Sequence, residues 1–269
     1  MDETETKWLI LLLLAVVAAG TLWYFRDAIN PPPVEPVVAQ PEPVESRLPR
    51  EPLHPVEPLI LTPGEGELVP LPPLDESDSY FALALIDIFG RDLEALLGDE
   101  GLIDKSVASV DNLTRSHVAE KIRPIGRISG TFVAAAAGAN GPYYLSPDNY
   151  GRYDALVNML TSADLDELAA TYRRFYPLVQ EAYVRLGYPD AYFNDRAVTV
   201  IDHLLATPTP EEPIQLVRPH VLYEFADPEL EALSSGQKLL IRMGADHAAR
   251  LKTVLEELKV RVAQPPDQR

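Results

Sequence analysis

Side chains capable of chemistry are densest between Tyr188 and Pro208, in the stretch YPDAYFNDRAVTVIDHLLATP. It holds Asp195, Arg196, Asp202 and His203. An adjacent Asp-His pair invites general-base catalysis, and two nearby carboxylates invite glycoside hydrolysis. Helix geometry limits both. At about 100° per residue, Asp195 and Asp202 share one stripe beside Val198, while Arg196 and His203 share another about 100° away. Asp202 and His203 then point in different directions and cannot orient one another. The two aspartates stand about 10 Å apart along the axis, too far to share a proton and beyond the usual carboxylate spacing of glycosidases. A half-buried helix with salt-bridged edges explains the same residues. The start of this segment, Tyr188, Tyr192, Asn194, Asp195 and Arg196, mixes aromatic, amide and charged groups as binding surfaces do. These five are the nominated interaction residues, although buried polar junctions have the same mixture.

Other chemistry is sparser. Ser235 stands three residues before Lys238, a formal Ser-x-x-Lys match. The Lys-Thr-Gly partner segment of that enzyme class is absent, and the serines read better as the cap of a helix start. Asp195, Asp202, His203 and Ser235 are thus the best candidates for a hydrolase site. Lys121, Arg123 and Arg127 form a basic cluster near Gly126 and Gly130, suited to an anion or a carboxylate; ordinary pairing with local acids is the alternative. Tyr143 and Tyr144 offer rings for stacking or for local packing. No two of the five histidines share a zinc-motif spacing. The chain has no cysteine, which removes disulfides, thiolate nucleophiles and iron–sulfur ligation. No metal and no cofactor is expected.

The elements that must position these groups are mostly helical. A capped run begins at Asp75, Ser77 or Asp78 and ends at Gly90. A second short helical run, DLEALLG, stops at Gly98, and a third runs from about Leu102 to Leu113. The clearest helix starts near Ser162 and carries Leu165, Leu168, Ala169, Tyr172, Phe175, Tyr176, Val179, Ala182, Tyr183 and Leu186 on one face. Pro177 removes one hydrogen bond and is expected to bend it, and Gly187 and Pro189 close it. Another helix spans about Asp190 to Ala206. The last begins near Gly244 with Ala248, Leu251, Leu255, Leu258 and Val262 on one face, after one or two shorter helices. ISGTFVAAAAGANGPYYL predicts a hairpin or a mobile loop, and IQLVRPHVLYEF predicts short extended pieces around Pro219. The expectation is a mainly α domain with minor short β elements.

Ahead of this head lie two other regions. Trp8 to Phe25 is uncharged and long enough to cross a hydrocarbon layer of about 30 Å. Lys7 and Arg26 bracket it, and Trp8, Trp23 and Tyr24 sit at aromatic-belt positions. A cleavable signal peptide is the competing reading, disfavoured by the acidic start MDETETK and by the apolar residues beyond Gly20. Residues 31–73 hold 14 of the 26 prolines, so polyproline II is the natural local state. The valines and leucines between those prolines suit a groove on a partner. The expected layout is a short tail at 1–7, a transmembrane helix at 8–26, a disordered Pro/Glu-rich linker at 27–73, a globular helical domain at 74–263 and a disordered tail at 264–269. Basic residues flank the anchor almost equally. The spacer has few of them to oppose translocation, which places the head outside the membrane.

The formal net charge is -18. From Leu74 onward there are 30 acidic and 19 basic residues, so the head is itself acidic. That balance opposes nucleic-acid binding and docking on anionic lipid, both of which need clustered Lys and Arg.

Four segments, PLPPLDESDSYF, LVQEAYVRLGYP, YFNDRAVTVIDHLLATP and VLYEFADPELEALSSGQKLLIRMG, resemble the proteobacterial domain-of-unknown-function 3014 family, over about Pro70 to Val262. The resemblance implies an anchored bacterial envelope protein with a helical head, and carries no activity, substrate or catalytic residue. The expected function is therefore a non-enzymatic interaction module on a single-pass inner-membrane anchor, its head periplasmic and facing an envelope protein or the cell wall. An envelope hydrolase and a small-ligand or anion sensor are the alternatives.

Overall fold

The computed structural model describes residues 51–57, 70–138 and 141–263. The expected anchor at 8–26, both expected tails and most of the expected linker lie outside the described residues. Among the described residues, no helix is long and apolar enough to cross a membrane.

The head is mainly helical, with one small sheet. Its helices are α1 (Asp78–Phe89), α2 (Leu102–Asn112), α3 (Asp154–Ser162), α4 (Leu165–Arg185), α5 (Phe193–Leu205), α6 (Pro228–Glu231), α7 (Ser235–Met243) and α8 (Ala245–Ala263). The strands are β1 (Ala134–Ala136), β2 (Tyr143–Leu145), β3 (Gln215–Val217) and β4 (Glu224–Phe225). They form an antiparallel sheet in chain order, with Ala135 opposite Tyr144, Tyr143 opposite Leu216, and Leu216 opposite Phe225. The glycine-flanked segment is thus the β1–β2 hairpin, and the pieces around Pro219 are β3, paired on both sides, and the edge strand β4.

Helix starts follow local chemistry. Asp164 caps α4 by accepting the N–H groups of Asp166 and Glu167. α4 therefore starts at Leu165, and Ser162 instead ends α3, a helix the apolar periodicity did not separate from its neighbour. Ser234 and Gln237 form a reciprocal capping box at α7. At α1 the expected caps act elsewhere. The Ser77 hydroxyl donates to Leu74 O, while the Asp78 carboxylate accepts the N–H groups of Gly101 and Leu102, both at 2.7 Å. Asp78 thereby caps α2 and pins the first turn of α1 to it.

Three apolar clusters make the core. One joins α2, α4 and α5 around Val107, Phe175, Val179 and Phe193. A second joins α3, α5, α7 and α8 around Val157, Val200, Leu240 and Leu251. The third seats the sheet on α7 through Leu145, Leu216, Phe225 and Ile241. At Gly236 an added Cβ would meet Leu204 Cδ2 at 2.6 Å and Leu113 O at 2.9 Å, so a residue without a side chain is what lets α7 approach so closely.

Candidate functional site

The helix α5 begins at the tight junction after α4, and its first residues hold a piece of the chain from far upstream. The Asp195 carboxylate accepts Leu53 N at 3.0 Å and His54 N at 2.8 Å. Asn194, wholly buried, donates from Nδ2 to His54 O and to Val262 O, each at 2.8 Å. Its Oδ1 accepts the Tyr172 hydroxyl at 3.0 Å. The His54 ring Nδ1 lies 3.0 Å from Ala263 O at the end of α8. Residues 51–57, expected as free linker, thus lie on the head, with three backbone groups of Leu53 and His54 held by two side chains. A carboxylate taking two N–H groups is a charge-assisted arrangement of above-average strength.

A support beneath this clamp fixes its geometry. Gln180 on α4 accepts Phe193 N at 2.9 Å through Oε1 and donates to Ala191 O at 2.8 Å. The Tyr176 hydroxyl donates to the same Oε1 at 3.2 Å. Burial pushes the Tyr172 phenol well above its ordinary value and the Tyr176 phenol up to about 12, so both remain neutral donors.

The other nominated residues have internal roles. Arg196 donates from Nε to Asp111 Oδ1 at 2.8 Å, and from Nη2 to Asp111 O and Thr114 Oγ1, both at 2.6 Å. The Tyr188 hydroxyl lies between Asp111 Oδ2 at 3.3 Å and Arg115 Nη2 at 2.9 Å, and its ring stacks on Tyr183 at 4.6 Å. Tyr192 occupies the N-cap position of α5 without a side-chain cap. Asn194 and Asp195 therefore face a bound segment, whereas Tyr188 ties the α4–α5 junction, and Arg196 ties α5, to the end of α2.

The catalytic candidates do not converge. Asp195 holds the clamp, and Asp202 pairs with Lys259 on α8. His203 Nε2 lies 2.9 Å from Ser234 Oγ rather than from Ser235, and Ser234 Oγ is committed to Gln237 N. Ser235 Oγ faces the carbonyl oxygens of Asn112 and Leu113 at 3.3 and 3.5 Å. Lys238 binds Glu231 at 2.6 Å, not a serine. In the basic cluster, Arg127 grips both oxygens of Glu120 at 2.7 Å, and Arg123 donates to Val118 O. Lys121 is exposed. Tyr143 packs edge-on against Tyr223. Among the described residues, no cluster of three or more His, Asp or Glu could hold a metal ion.

Sequence reasoning missed His54 and Asp111. No local pattern marks His54, because its partners lie between 140 and 209 residues away. Asp111 did carry a signal: it is an acid one turn after Val107 on the apolar face of α2, with Arg115 a turn further on.

No curated protein and no solved structure matches the chain. A model of a protein family, described as a protein of unknown function, DUF3014, matches residues 102–259. That span runs from the first residue of α2 nearly to the end of α8. It includes Asp111, Asn194, Asp195 and Arg196, while the clamped segment lies outside it. With more than half its length matched, this chain belongs to the DUF3014 family.

Proposed function

We propose that the head is a non-enzymatic docking module that takes an extended, proline-flanked peptide at Asn194 and Asp195, and that residues 8–26 tether it to a bacterial inner membrane with the head on the periplasmic side. The backbone clamp on Leu53 and His54 is the observation that carries this reading. Recognition through backbone groups suits a ligand whose prolines keep it extended and lower its ordering cost. The clamped sequence, EPLHPVE, has prolines on both sides of the held pair. The chain's own spacer is thus a local occupant, competing with a segment of similar composition on an envelope partner.

The test uses the full-length chain with Leu53→Pro and His54→Pro, which removes both N–H donors. A labelled EPLHPVE peptide binds this variant and not the wild type, and adding Asp195→Ala abolishes the binding. If the double-proline variant takes up no more peptide than the wild type, the docking reading falls. The tether is tested separately, by topology reporters placed after Arg26 and at the C-terminus. A cytoplasmic head would remove cell-wall and periplasmic partners.

A further inference from the structure

Two apolar pockets, each about half open to solvent, adjoin between the helices. One, of about 300 Å³, lies among α1, α2, α4, α5 and α8. The other, of about 250 Å³, continues toward α3 and α7. Leu113, Leu168, Leu204, Leu255 and Leu258 line both, so the pair forms one slot from Asn194 at the first turn of α5 to Met243 at the end of α7. No charged side chain lines either part.

The helix α1 provides a second, independent observation. Its sequence DSYFALALIDIF is apolar nearly all round, and such helices are ordinarily buried. Yet none of its residues is buried. Phe81, Leu85 and Phe89 recur at four-residue intervals, face the slot and remain half-buried. Leu255, Leu258 and Val262 on α8 face it too and are also half-buried. Protein cores otherwise pack to the density of organic crystals. The two ends of α1 differ as well. Asp78 ties its first turn to α2, whereas its last turn runs into Gly90, at φ 85° with nothing within 4 Å of an added Cβ.

We propose that this slot binds one linear acyl chain, with α1 as its hinged lid. An apolar cavity of about 150 Å³ holds the six carbons of benzene. On that scale the two parts take roughly 12 and 10 carbons, enough for a chain of about 16 to 18 with room to spare. The elongated slot favours a linear tail over a compact ring system, and the lack of lining charge leaves the head group at the mouth. The tail belongs either to a free fatty acid or to a membrane phospholipid.

The experiment uses the full-length protein in a bile-salt detergent, which has no long linear alkyl chain to compete. One arm adds a palmitic acid carrying a mid-chain diazirine, and the other a phosphatidylglycerol with the same photoreactive chain. The expected result is saturable labelling, near one per protein, on peptides from α1, α4 and α8, displaced at least tenfold by unlabelled lipid of the same kind. Labelling in the first arm identifies the fatty acid as the source, and labelling only in the second identifies the phospholipid; either supports the site. Ala197→Trp, which fills the wall of the larger cavity, lowers labelling at least tenfold. Leu83→Gln on the exposed face of α1 does not. If Ala197→Trp fails to fold, the wild-type labelling map alone decides. Labelling that does not saturate, or that falls only outside α1, α4 and α8, overturns the proposal. Asp195 lines neither cavity, so Asp195→Ala leaves this labelling intact and separates it from the peptide clamp.

Discussion

Asp111 and Arg196 show how one buried charge comes to hold two helices together. The Asp111 side chain is 4% exposed and that of Arg196 23%, whereas Arg115 on the other side is 54% exposed. Removing one partner of a buried pair strands the other, and exposed pairs contribute little. Asp111→Ala should therefore cost about 3–5 kcal/mol, and Arg115→Ala less than about 1 kcal/mol, both read as shifts of the urea midpoint. Equal effects would remove the argument. At this scale the sequence was only partly informative. Helix angles correctly separated Asp202 from His203, but which serine met His203 depended on the approach of α7 to α5. That approach is set by Gly236, which no spacing rule singles out.

At the scale of the element, α4 is the helix most legible from its residues. Its apolar stripe predicts the buried face of Ala169, Phe175, Val179, Ala182 and Tyr183, and Pro177 lies within it. Three tyrosines on this helix give it a pH signature. Burial raises Tyr172, Tyr176 and Tyr183, the second to about 12. For each, the folded pKa lies above an unfolded value near 10. Their contribution is then fully present below about pH 10 and is lost as pH rises through the folded values. Stability should fall steeply above about pH 10, and Tyr172→Phe should flatten that fall. Melting curves between pH 8 and 11, with absorbance at 295 nm, measure both. Tyrosines that all titrate near 10 in the folded protein would contradict the prediction. The helix α1 was legible as a helix, but its half-buried inner face was not. Apolar periodicity tells which side faces inward and says nothing about how well that side is filled.

For the molecule as a whole, the clamp turns part of an expected linker into part of the head. A chain beginning at Pro49 should be more stable than one beginning at Pro70 by about 1–3 kcal/mol, the worth of a few hydrogen bonds, some to a charged group, less the cost of closing the loop. At this size that corresponds to roughly 2–10 °C in Tm, measured by calorimetry. Identical melting would mean that residues 51–57 contribute nothing. The sequence by itself determined the helical class, most helix boundaries, a serine cap at Ser234 or Ser235, the acidic charge balance and the family resemblance. Each of these depends on neighbours within a turn or two, on composition, or on ordered motifs. Only the tertiary structure decided that Asp195 grips Leu53 and His54, that Asp111 receives Arg196, and that five leucines from four segments line two adjoining pockets. These depend on residues far apart in the chain meeting at particular distances. The packing of whole helices sets those distances, and local propensity does not encode them.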